Sequence, residues 1–90
     1  MKAFMILETY LDPDCYLDTK PVEFWQVHYD AVRRCNEHND TVSRKPTSLP
    51  DVSDTDAWCT LYKWTDESGN TVDEFDCEGL WYCQEIDIHL

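Results

Sequence analysis

The chain has 90 residues, 42% of them hydrophobic and 13% aromatic, with only 2 glycines and 4 prolines. That composition fits one α+β domain over residues 1–90 and excludes a disordered or low-complexity tail. Nineteen acids against 7 bases give a net charge of −12, which disfavours direct binding to nucleic acid or to an anionic membrane, because phosphates would be repelled.

The first residues, MKAFMILETYL, hold an apolar run of five before Glu8. This is too short for a signal-peptide core, and no stretch is long enough to span a membrane. The 5 cysteines (Cys15, Cys35, Cys59, Cys77, Cys83) are odd in number. The expected compartment is a reducing cytoplasm (the host cytoplasm for a phage-encoded chain), where the thiols stay free and mostly buried.

Lys2–Leu11 reads as a strand, apolar on both parities through Phe4-Met5-Ile6-Leu7 and therefore central in a sheet. Asp12-Pro13-Asp14 ends it as a turn, and Cys15–Lys20 is a connector. Pro21–His38 reads as an amphipathic helix. Val22, Phe24, Trp25, His28, Tyr29, Ala31, Val32 and Cys35 fall on one half of its wheel, and Glu23, Gln26, Asp30, Arg33, Arg34 and Glu37 on the other. Residues 39–56, rich in Ser, Thr, Asp and Pro, form a long irregular loop of a length that is usually functional or mobile.

The C-terminal part, Ala57–Leu90, reads as three strands: Ala57–Thr65, Thr71–Cys77 and Leu80–Leu90. The linkers Asp66-Glu67-Ser68-Gly69-Asn70 and Glu78-Gly79 are hairpin-like turns. The expected fold is thus a two-layer α+β sandwich, with an antiparallel sheet of about four strands in the order β-α-β-β-β and one helix on one face.

Side-chain alternation in that meander puts Cys59, Leu61, Phe75, Cys77, Leu80, Tyr82, Ile86 and Ile88 on a core face. Cys59 opposite Cys77 is then small core filling rather than a disulfide. The other face collects Trp58, Thr60, Tyr62, Trp64, Val72, Glu74, Asp76, Trp81, Cys83, Glu85 and Asp87. A one-residue slip in register would exchange the faces, and the first strand or the long loop would hide the rings if it lay over them. Charge is concentrated here: Asp51–Leu90 holds 11 acids and 1 base, whereas Met1–Pro50 holds 8 acids and 6 bases.

No motif carries catalysis or metal binding, so neither an enzyme nor a cofactor is expected. Cys35-x2-His38 and Cys77-x5-Cys83 match no zinc spacing. The acidic stretches lack the EF-hand pattern. His28 reads as a hydrogen-bonded core histidine rather than a general base.

What remains is a surface that interleaves carboxylates with aromatic rings. Such a surface suits a basic protein partner, with rings as anchors and charge speeding encounter. Carboxylates two apart on a strand are roughly 6.7 Å apart, and a row of them can stand in for phosphates. The expected function is a small acidic inhibitor that occupies the basic groove of a nucleic-acid-binding partner as a nucleic-acid mimic. Small size and heavy acidity are also the habit of phage counter-defence proteins such as anti-CRISPR or anti-restriction inhibitors, an analogy that no residue motif carries. The expected partner-binding residues are Trp58, Tyr62, Trp64, Asp66, Glu67, Glu74, Asp76, Glu78, Trp81, Glu85 and Asp87. The alternative is an assembly subunit that docks or homodimerises through the aromatic face.

Overall fold

The computed structural model describes residues 1–46, 48–60 and 74–89, the first two of the last stretch by backbone alone. Strand β1 (Lys2–Leu11) is central in a three-stranded antiparallel sheet, between β2 (Leu17–Trp25) and β3 (Trp81–Asp87). Helix α1 (His28–Thr41) packs on that sheet, and a short helix α2 (Thr55–Cys59) precedes a 3₁₀ turn at Glu74–Cys77. The molecule is α+β, as expected. The described residues hold three strands rather than about four, and their order is strand, strand, helix, short helix, strand.

The expected strand at Lys2–Leu11 is present with those bounds. The expected helix at Pro21–His38 is corrected: its first part belongs to β2, and α1 begins at His28. The run from Thr19 to Trp25 is rich in β-branched and aromatic residues, which favour a pleated surface. Pro21 is tolerated because β2 is an edge strand, where the missing N–H is not needed by a neighbour. The pairing jumps from Ile6↔Glu23 to Leu7↔Pro21, so Val22 is the extra residue of a bulge. Glu23 and Trp25 turn toward α1, while Phe24 stays exposed.

Ala31, Cys35 and Asn39 form the buried stripe of α1 at a spacing of four residues. His28, expected in the core, is exposed at the helix start and stacks on Phe4 with ring centroids 4.8 Å apart. The irregular loop is shorter than 39–56, because α1 runs to Thr41 and Thr55 starts α2.

The C-terminal meander is corrected. Ala57, Trp58 and Cys59 are helical, Glu74–Cys77 is a 3₁₀ turn, and the partner of β3 is the distant β1. The remainder of the two expected strands, with the Lys63–Asp73 pair, lies outside the described residues. Glu78-Gly79 does turn the chain: Gly79 has φ 83°, a left-handed conformation that glycine adopts without a Cβ penalty. Thr9 secures that turn. Its N–H donates to Leu80 O at 2.9 Å, its O accepts from Gly79 N at 2.7 Å, and its Oγ1 accepts from Leu80 N at 3.1 Å and bonds Cys77 O.

The faces of β3 are also reversed from expectation. Trp81 and Cys83 point to α1, where Trp81 stacks on His38 at 3.7 Å and carries Arg34 over its ring at 4.7 Å. Tyr82 points to the opposite face, where Trp58 of α2 stacks on it at 5.2 Å. The sheet is therefore covered on both sides at this end, and Trp81, Tyr82 and Cys83 are all buried.

The outer edge of β3 has no neighbouring strand among the described residues. Asn39 replaces one: its Nδ2 donates to Trp81 O at 2.9 Å and its Oδ1 accepts from Trp81 N at 2.8 Å. Two residues on, Cys83 N donates to Val52 O at 2.8 Å, and the Thr55 hydroxyl reaches Cys83 O. Asn39→Ala would leave two buried main-chain groups unpaired, at about 1–3 kcal/mol each. The variant should lose about 2–4 kcal/mol of stability in urea unfolding, and a loss near zero would show that water takes over both bonds.

Candidate partner-binding surface

Ion pairing decides which charges face outward. Lys2 pairs with Glu85, Lys20 with Glu8, Arg33 with Asp30 and Glu37, Arg34 with Glu23, Arg44 with Asp76 and Lys45 with Asp40. Every described lysine and arginine is thus matched to a carboxylate of its own chain. Arg34 is the best held: Nε and Nη2 fork onto Glu23 at 3.1–3.2 Å while the guanidinium lies over Trp81. The other pairs are largely exposed and contribute little individually to stability.

The remaining carboxylates form two groups. Asp12, Asp14 and Asp18 surround the β1–β2 turn; Asp51, Asp54 and Asp56 flank and enter α2. None of the six pairs with a base among the described residues, and neither do Glu78 and Asp87. Several also shape the backbone. Asp12 accepts from Asp14 N and Tyr16 N at 2.9 Å, and this tight turn holds Cys15 at φ 65°. Asp54 caps α2 by accepting from Ala57 N at 3.1 Å. Asp51 accepts from the hydroxyl and N–H of Ser53, which hold its carboxyl below the ordinary carboxylate range. The carboxylates of Asp14, Asp56, Glu78 and Asp87 accept no hydrogen bond from a described residue.

Asp18 of the first group and helix α2, which carries part of the second, meet at a cleft. This cleft of about 190 Å³ has Asp18 and Thr19 of β2 on one wall and Trp58 and Cys59 of α2 on the other, with Tyr82 at its base. The charge of Asp18 raises the Tyr10 phenol pKa, and Tyr10 donates to that carboxylate at 3.3 Å.

The expected site residues scatter. Trp58 and Trp81 are buried at 2% and 7% exposure, which corrects the expectation that they are presented outward. Trp58 bridges to the loop by donating Nε1 to Asp51 O at 2.9 Å, and Trp81 donates toward Glu8 at 3.3 Å. Asp76 and Glu85 are engaged by Arg44 and Lys2, whereas Glu78 and Asp87 are exposed. Tyr62, Trp64, Asp66 and Glu67 lie outside the described residues, as does the side chain of Glu74. Exposed apolar area is found instead at Val22, Phe24, Val27 and Tyr29, with Phe24 at 64% and Tyr29 at 71%. The Asp-Pro-Asp turn and the aspartate-rich loop were visible as acidic segments, but nothing local announced that they would be left without bases.

Among the described residues no three His, Cys, Asp or Glu side chains converge as a metal site requires, and no helix is long and apolar enough to cross a membrane. Comparison with protein-family models, with curated proteins and with solved structures finds no match.

The cleft has a pH signature. Burial, joined by the neighbouring Cys59 thiol, pushes the Tyr82 phenol up to about 12 against an ordinary value of 10.0. Because the folded state holds this proton more tightly, its contribution is complete below pH 10 and is lost as pH climbs toward 12. Urea midpoints should therefore fall steeply between about pH 10 and about pH 12, and less steeply for Tyr82→Phe, which keeps the stack on Trp58. Parallel curves for the two proteins would contradict this assignment.

Proposed function

We propose that the protein is a small acidic binding protein that occupies the basic groove of a nucleic-acid-binding partner, as a nucleic-acid mimic. One observation carries the reading: the described cations are all consumed by internal ion pairs, while the carboxylates of the β1–β2 turn and of the α2 segment are left to solvent. Uncompensated carboxylates attract a basic surface and orient it during encounter. The phage counter-defence setting, as for an anti-CRISPR or anti-restriction inhibitor, rests on size and charge alone.

The test uses the full chain immobilised against a nuclease-treated bacterial lysate. Captured proteins should be nucleic-acid binders, and added duplex DNA or raised salt should release them. Combining Asp14→Lys, Asp56→Lys and Glu78→Lys should weaken capture about tenfold or more. These side chains hold no described hydrogen bond, so the fold is not at stake. Reversing Glu37 and Asp40 on α1 should matter less. Equal losses from both sets would show that net charge, not this surface, controls binding.

A second reading is docking or homodimerisation, supported not by the expected aromatic sheet face but by exposed apolar side chains at β2 and the start of α1. Phe24 and the bulged Val22 stand exposed on an edge strand, next to Val27 and Tyr29. On this reading the sedimentation coefficient rises with protein concentration and is insensitive to salt, and Phe24→Asp abolishes that rise. A wild-type chain that stays monomeric at high concentration would remove the homodimer.

A further inference from the structure

In an antiparallel ladder the N–H and C=O of one residue point the same way, and the direction alternates along the strand. Thr9 turns its pair toward β3, because its N–H donates to Leu80 O at 2.9 Å and its O accepts from Gly79 N at 2.7 Å. The even-numbered residues of β1 therefore face β2. Their partners Asp18, opposite Tyr10, and Lys20, opposite Glu8, face inward, and Asp12 N donates to Tyr16 O at 2.9 Å in the same sense. The main-chain groups of Leu17, Thr19 and Pro21 are left pointing outward, on a side of β2 that has no neighbouring strand among the described residues.

An outer edge of this kind is a template for another strand. Here its donors are withdrawn. The Thr19 N–H is held by Asp18 Oδ1 at 2.8 Å, so a negative oxygen occupies the place that an incoming carbonyl would take. The next outward residue, Pro21, has no N–H. Beyond it Val22 is the bulged residue, where the register shifts.

We propose that Asp18 and Pro21 guard the outer edge of β2, and that this guard keeps the chain from pairing edge to edge with a second copy of itself. The strand is matched to its own copy: a two-fold axis at Thr19 sets outward residues opposite outward residues, Thr19 on Thr19 and Leu17 on Pro21. The outer edge of β3 is already filled by Asn39, Val52 and Thr55, so such pairing would close at two copies rather than run on as a fibre. The inference concerns main-chain pairing. It depends neither on the carboxylate surface nor on docking through the Phe24 side chain.

The test is the full chain carrying Asp18→Val and Pro21→Val. Circular dichroism checks the fold, sedimentation velocity the mass and amide hydrogen exchange the edge. In wild type, exchange at Thr19 should be independent of protein concentration. The double variant should form a dimer, and its Leu17 and Thr19 amides should exchange more slowly as concentration rises. Asp18→Asn with Pro21→Val carries the same charge but keeps an acceptor for the Thr19 N–H, and should dimerise about tenfold more weakly or less. Should the double variant not fold, Asp18→Val alone carries the same test. The proposal is overturned if the folded valine variant stays monomeric, if it dimerises without slower exchange at Thr19, if wild type shows the same slowing, or if the asparagine variant dimerises as tightly.

Discussion

The outer edge of β3 is the constraint on which the rest of the structure depends. A strand whose neighbour covers only one side leaves every second N–H and C=O without a partner, and near Trp81 and Cys83 those groups are buried. The chain meets this requirement with pieces that are not strands. Asn39 presents an amide in the place of a peptide, Val52 lends a carbonyl and Thr55 a hydroxyl. Each of these contacts also fixes a position: Asn39 sets where α1 lies, Val52 brings the loop over the sheet, and Thr55 starts α2. Trp58 can then reach Tyr82, and the cleft beside Asp18 exists as a result.

That arrangement explains what was legible in the sequence. Strand β1 was, because a run that is apolar on both parities needs cover on both faces, and a central strand is where that happens. The lower part of α1 was, because Ala31 and Cys35 repeat at a helical interval. The segment before it was not. A helical wheel and a pleat both separate Glu23 from Val22 and Phe24, and the choice was made by pairing with β1, as in Met5↔Phe24 and Phe4↔Trp25, far along the chain. The β3 partner was hidden for the same reason. Local alternation favours the nearest strand, whereas β3 pairs with a strand more than seventy residues distant.

The candidate surface was legible only as a quantity of charge. Its location depends on where the few bases go, and that is a tertiary matter. Arg34 reaches Glu23 and Trp81, Arg44 reaches Asp76, and Lys2 reaches Glu85, in each case across elements. Acids near these residues are neutralised, and those of the β1–β2 turn and α2 are not. The rings expected to accompany the charge went the other way. Tryptophan is amphipathic, and each buried indole N–H found an oxygen, Asp51 O for Trp58 and Glu8 for Trp81. With those bonds made, burial was favoured over display.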